Sequence, residues 1–171
     1  MQFKVVYSQR DIQARVQELG AQISKDYANE PLVAVCVLKG AFVFFADLMR
    51  ALTIDPEMDF VRLSSYADQT STTGKVVFSK DMEISVENKN VLVVEDIVDS
   101  GHSINYLTKV LEARKPKSIK ICALLDKRER REVDVQVDYP GFVLEKGFVV
   151  GYGLDYAEKY RNKDGIYELV F

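Results

Sequence analysis

Val91, Leu92, Val93 and Val94 form an unbroken aliphatic run, and Glu95, Asp96 and Asp99 follow it directly. A strand of aliphatics alone is buried on both faces, as in a parallel sheet covered by helices. Ser100, Gly101, His102 and Ser103 come next, then a helical stripe of Ile104, Leu107, Val110 and Leu111. Residues 91–111 thus read as a strand, an acidic loop and the start of a helix. Open α/β sheets take their ligands at that end of a strand.

The same alternation recurs along the chain. Ser8-Gln9-Arg10-Asp11 matches a capping box, and Ile12, Val16, Leu19 and Ile23 continue at helical spacing. Asn29-Glu30-Pro31 breaks that helix, and residues 32–38 read as a buried strand. Lys39-Gly40 turns the chain into a helix with Phe42, Phe45, Leu48, Met49 and Leu52 on its apolar side. Residues 60–63 and 119–125 read as further strands. Val133, Val135 and Val137 alternate with polar residues, which predicts a half-exposed edge strand. Pro140-Gly141 marks a turn, and residues 148–150 and 167–171 close the chain as short strands. The fold class is α/β: an open, mainly parallel twisted sheet flanked by helices, in one domain over residues 1–171. Residues 64–74 are small and polar throughout, which predicts a loop of the kind that closes over active sites.

Charge excludes some functions. The 23 basic and 26 acidic residues leave a net charge of -3, so no bulk attraction to nucleic acid is expected. The first residues lack the apolar core of a signal peptide, and no apolar run reaches the length of a membrane span. Cys36 and Cys122 each sit inside an aliphatic run and read as buried thiols. A single histidine argues against a histidine-based zinc site. A cytoplasmic protein without nucleic-acid or membrane partners is the expectation.

Backbone N–H groups at Asp99, Ser100, Gly101, His102 and Ser103, with two hydroxyls and a helix N-terminus, would make a phosphate cradle. The plain alternative is a strand-to-helix turn capped by Asp99 or Ser100. Capping alone gives no reason for Glu95 and Asp96, because adjacent uncompensated carboxylates raise each other's pKa. A Mg²⁺-bound diol or pyrophosphate would relieve that repulsion. Lys39 opens onto the same rim. The run from Asp126 to Glu132 mixes four positive with three negative charges and reads as a solvated face, Lys127 excepted. Around Phe148, Gly151, Gly153 and Asp155, a wall for a planar base and a pair of β-bulges stand as equal readings.

Leu38-Lys39-Gly40, Ser65-Tyr66, the run over residues 93–101, and the 148–155 segment with Glu158-Lys159-Tyr160-Arg161 occur in one order. Together they resemble the purine phosphoribosyltransferases of the type I fold, in the branch acting on hypoxanthine and guanine. The resemblance implies a small hood built from the N-terminal segment and roughly residues 127–171. It implies Mg²⁺-dependent transfer of 5-phosphoribosyl from phosphoribosyl diphosphate (PRPP) to N9 of hypoxanthine or guanine, yielding IMP or GMP. Glu95 and Asp96 would hold the ribose hydroxyls, directly or through Mg²⁺, and Asp99, Ser100, Gly101, His102 and Ser103 the 5′-phosphate. Asp99 would be the acid/base at purine N7. Lys127 would donate to the six-oxo group, Phe148 would stack on the base, and the Val149 backbone would meet its edge. Asp155 would coordinate a second Mg²⁺ beside the base, and Lys39, Gly40 and Arg161 would bind pyrophosphate. Ser65 and Tyr66 would bind PRPP and open the lid. The Leu38–Lys39 peptide is expected to be cis, and family members are dimers or tetramers. His102 and Ser103 depart from the residues usual in the family. Rivals are a xanthine- or adenine-specific relative, opposed for adenine by Lys127, an RNA-binding regulator, opposed by charge, and an acidic Mg²⁺-binding module.

Overall fold

The computed structural model describes residues 1–66 and 75–171. Its main sheet contains β2 (Leu32–Leu38), β3 (Glu57–Tyr66), β4 (Lys75–Lys80), β5 (Asn90–Val98), β6 (Ser118–Lys127) and β7 (Tyr139–Leu144). The strand order is β4-β3-β2-β5-β6-β7. All neighbours run parallel except the β3–β4 pair. A second, antiparallel sheet joins β1 (Gln2–Tyr7), β9 (Ile166–Val170) and β8 (Val149–Val150) in the order β1-β9-β8. The helices are α1 (Gln9–Asp26), α2 (Phe42–Ala51) and α3 (His102–Glu112).

The strand pleat sorts the core. Val33, Val35, Val91, Val93, Ile121 and Ala123 pack with Ile104, Leu107 and Leu111 of α3. The alternate residues Ala34, Cys36, Leu92, Val94 and Cys122 face α1 and α2, where Phe44, Phe45 and Leu48 sit. Both faces of the central strands are thus sealed, as their aliphatic sequences demand. Entry into helix α1 is fixed by the capping box: Ser8 Oγ accepts from the Asp11 N–H at 3.1 Å, and Asp11 accepts from the Ser8 N–H at 3.2 Å.

Helix α2 follows β2 and lies on one face, whereas α3 follows β5 and lies on the other. The chain therefore parts between the carboxyl ends of two adjacent parallel strands, and a crevice opens there.

Four local readings change. The 133–137 stretch is irregular chain, and Val135 and Val137 alternate because they tuck against the α3-side core. The edge strand is β7, which includes the Pro140-Gly141 pair that reads as a turn. An edge position tolerates the missing proline N–H. A side chain at Gly141 would meet the Leu124 carbonyl at 2.5 Å, so the glycine serves close strand approach. Arg15 of α1 donates to the carbonyls of Pro140 and Gly141 at 2.7 and 2.8 Å and covers this edge. On α2, Phe44 is fully buried while Phe42, at the first helical position, is exposed. Ser64, Ser65 and the Tyr66 backbone extend β3 and pair with β4, rather than opening a loop. Residues 67–74, the remainder of the proposed lid, lie outside the described residues.

Asp59 anchors the far end of β3. Burial raises its pKa, but the backbone N–H groups of Ile84, Phe60 and Glu83 bind the carboxylate at 2.7–2.8 Å and hold the net value below the usual range. A depressed folded-state pKa gives stability that is present above the unfolded value and lost as pH falls through the folded one. Asp59→Ala is expected to cost about 1–3 kcal/mol at neutral pH, because it leaves three part-buried backbone donors without their acceptor. The deficit should narrow on acidification, as read from urea midpoints at neutral and acid pH.

Candidate active site

Strand β5 carries Glu95 and Asp96 into the crevice, and Asp99 and Ser100 follow as the chain bends toward α3. Gly101 is the N-cap of α3, with φ 93°, and among the described residues no side chain caps the helix. The first-turn N–H groups are therefore left for something else. That settles the plain alternative: neither Asp99 nor Ser100 serves as the cap. A cavity of about 250 Å³ is lined by Leu38, Glu95, Asp96, Asp99, Ser100 and Ser103, among others. Asp99 lines this cavity, and its buried Oδ1 accepts no hydrogen bond among the described residues.

Glu95 is buried, and its Oε1 accepts from the Asp96 N–H at 3.0 Å. Burial first, and then the Asp96 carboxylate, push the Glu95 carboxyl well above the usual carboxylate range. No lysine, arginine or histidine pairs with Glu95 or Asp96 among the described residues. Burial, Glu95 and Asp96 also push the Cys36 thiol up to about 12, and burial pushes Cys122 higher, so both thiols are inert.

The β2 end meets this group directly. The Leu38–Lys39 peptide is cis, and a Cβ added to Gly40 would fall 1.8 Å from Asp96 Oδ2. Gly40 is in turn touched by the C-terminal segment, since a Cβ on Gly153 would fall 2.2 Å from the Gly40 carbonyl. Arg161 Nη1 donates to the Gly153 carbonyl at 2.7 Å. Its Nη2 lies 3.5 Å from both Asp155 and Glu158, and Lys39 Nζ lies 3.2 Å from Glu158. Lys39, and to a lesser degree Arg161, hold the Glu158 carboxyl below its usual range. Two clusters of opposite character thus face one another across two glycines.

The other named residues stand outside the cavity lining. Lys127 ends β6 and is buried, without an ion pair among the described residues. Val149 is buried in β8, and Phe148 is 47% exposed, edge-on to Tyr156 at 5.8 Å. Gly151 and Gly153 have φ of 101° and 99° and flank a tight bridged turn, so their backbone need is structural. His102 is turned away from the cradle and lies 2.6 Å from Glu132. Ser65 is exposed on β3. Sequence reasoning quoted Glu158 only as part of a motif and gave it no role, although it gathers Lys39 and Arg161, and it missed Arg131, which reaches back to the carbonyls of Val98 and Asp99.

Residues 4–157 match the phosphoribosyl transferase domain. The chain belongs to that family. It is 47% identical to the hypoxanthine-guanine phosphoribosyltransferase of Bacillus subtilis, over 93% of this chain and 88% of that one. It is 44% identical to the hypoxanthine phosphoribosyltransferase of Buchnera aphidicola, over 98% and 96% of the two chains. A crystal structure of a hypoxanthine-guanine phosphoribosyltransferase from Bacillus anthracis superposes with a TM-score of 0.93 at 47% identity, covering 99% of this chain and all of that one. The main sheet and its flanking helices are the family's fold.

A methyl group at Gly40 would displace only a side-chain carboxylate, which can rotate, so Gly40→Ala should leave the fold intact. It should nevertheless turn Asp96 out of the crevice. Phosphoribosyl transfer is expected to fall by about 10²-fold, the scale of a misplacement near 1 Å, with a circular-dichroism melt close to wild type.

Proposed function

We infer that this chain transfers the 5-phosphoribosyl group of PRPP to N9 of hypoxanthine, and of guanine, giving IMP or GMP and pyrophosphate. The observation that carries the reading is a cavity that joins, among the described residues, a helix N-terminus without a side-chain cap, the buried Glu95 with the half-buried Asp96 beside it, neither paired with a cation, and an Asp99 residue with one partnerless oxygen. A ligand with a phosphate, a ribose diol and a proton-bearing base satisfies all three. Relatives at 44–47% identity bear the corresponding names.

The α3 N-terminus and the turn of Asp99, Ser100, Gly101, His102 and Ser103 would receive the 5′-phosphate through backbone N–H groups and hydroxyls. Breaking the C1′–pyrophosphate bond builds positive charge on the ribose, and that charge would draw Glu95 and Asp96 beneath it toward their charged forms and be stabilised by them in turn. Lys39, Gly40 and Arg161 would take the leaving pyrophosphate in place of Glu158. Asp99 would move the proton at N7, Lys127 would donate to the six-oxo group, Phe148 would stack on the base and the Val149 backbone would meet its edge. The small sheet formed by β1, β8 and β9 would be the hood over the base, and Ser65 and Tyr66 would lead into the lid.

Among the described residues no three histidine, cysteine or carboxylate side chains form a cage for a metal. Mg²⁺ binds through one or two carboxylates plus substrate oxygens, and the hard oxygen donors of Glu95, Asp96 and Asp155 fit that pattern. Bound there with PRPP, Mg²⁺ would neutralise the departing pyrophosphate. No described helix is long and apolar enough to cross a membrane, and the thiols of Cys36 and Cys122 are free; both features support a cytoplasmic enzyme. Phe42, Met58 and Phe60, exposed on α2 and β3, support a homodimer or homotetramer.

Asp99→Asn keeps the shape of the cavity but cannot exchange the N7 proton. Its kcat for IMP formation with PRPP, Mg²⁺ and hypoxanthine is expected to fall by roughly 10²–10⁴-fold, with PRPP affinity little changed. Turnover within a few-fold of wild type would remove Asp99 from the chemistry, and absence of IMP with the wild-type enzyme would overturn the whole reading.

A further inference from the structure

By its mixed charges the stretch after Lys127 reads as a solvated face, yet Arg131 folds inward. Its side chain is 19% exposed, and it lies against Asp126, whose side chain is 5% exposed. Arg131 Nε donates to the Asp99 carbonyl at 2.9 Å. Its Nη2 reaches the carbonyls of Val98 at 3.2 Å and Lys127 at 3.1 Å, and Asp126 Oδ1 at 2.5 Å. The next residues continue the contact, because the N–H groups of Glu132 and Val133 both donate to the Ser100 carbonyl, at 2.9 and 3.1 Å.

Three successive carbonyls, those of Val98, Asp99 and Ser100, are therefore held toward one side. In a trans peptide the C=O of one residue and the N–H of the next point in opposite directions. The N–H groups of Asp99, Ser100 and Gly101 consequently face away from Arg131. That is the cavity side, since Asp99, Ser100 and Gly101 line the cavity and Arg131, Glu132 and Val133 do not. Gly101 marks how tightly the two strands of chain lie: a Cβ there would meet the Val133 carbonyl at 2.8 Å and Arg131 Cδ at 3.4 Å.

We propose that Arg131 is a positioning residue that aims the phosphate-binding N–H groups and, through the Lys127 carbonyl, sets the six-oxo donor in register with them. The proposal rests on the roles inferred above for the cradle and for Lys127. One rigid guanidinium spans the ends of β5 and β6, so the 5′-phosphate and the purine are located by a common frame. Arg128 supplies the contrast: it also pairs with Asp126, at 3.2 Å, but its side chain reaches none of these carbonyls.

The test compares Arg131→Gln, Arg131→Lys and Arg128→Gln for KM of PRPP and of hypoxanthine, with turnover referred to active sites. Amide hydrogen exchange over residues 99–101 is measured in parallel. In Arg131→Gln both KM values are expected to rise together, by about 10- to 10²-fold, with faster exchange in the turn. Arg131→Lys keeps the charge opposite Asp126 and the fold, but one ammonium cannot serve all four acceptors, so it should show a smaller rise in both. Arg128→Gln should change neither. Unchanged KM values and exchange in Arg131→Lys, with only a lower melting temperature in Arg131→Gln, would reduce Arg131 to a counter-ion for Asp126 and overturn the proposal. A rise in one KM alone would overturn the shared frame. If the wild-type enzyme forms no IMP, the functional reading fails, while the exchange comparison still decides whether Arg131 holds the turn.

Discussion

Cys36 of β2 lies beside Val94 of β5 in a parallel ladder that ends there, and beyond it the two strands separate. They separate because α2 must bury Phe44 and Leu48 on one face of the sheet, while α3 must bury Leu107 and Leu111 on the other. The crevice is thus a consequence of covering both faces of an aliphatic sheet. It places the Lys39-Gly40 turn within van der Waals reach of Asp96, and every polar group of the site is arranged around that approach. Glycine at residue 40 is the condition for it, because any Cβ would occupy the space of the Asp96 carboxylate.

Charge is divided across this contact. On the β5 side, Glu95 and Asp96 repel each other in a buried setting, and the Glu95 carboxyl is pushed toward its neutral form. On the other side, Lys39 and Arg161 are held by Glu158 and Asp155, and the Glu158 carboxyl is pulled toward its charged form. Among the described residues the first cluster lacks a cation, and the second holds two of them close together. A substrate that carries a diol at one end of a bond and a polyanion at the other answers both conditions, which is the reason PRPP suits the crevice better than phosphate alone.

Much of this was legible from local sequence. The aliphatic runs of β2, β5 and β6 and the capping box of α1 are encoded by adjacent residues or by helical spacing, and they appear where the pattern places them. The acids after Val94 and the glycine turn were legible for the same reason, since strand end, turn and helix start are contiguous. The edge strand was not. Val135 and Val137 owe their burial to the α3-side core, and β7 owes its pairing to Leu124 and Arg15, which lie far away in sequence. Alternation in a chain segment reports contact with one surface, and irregular chain laid along a core produces it as readily as a strand does.

Arg131 was hidden for a related reason. Its acceptors are main-chain carbonyls, and a carbonyl has no signature in the sequence, so a run of mixed charges looks the same whether it faces solvent or folds back. The Asp126 partner does not explain the arrangement, because a buried ion pair repays little of its desolvation cost. The geometry of the guanidinium does. A planar fork with fixed donor directions constrains several acceptors at once, where an ammonium would constrain them loosely. In a cradle built from peptide N–H groups, the only way to aim the donors is to hold the carbonyls behind them, and the residue that does so lies outside the cavity it shapes.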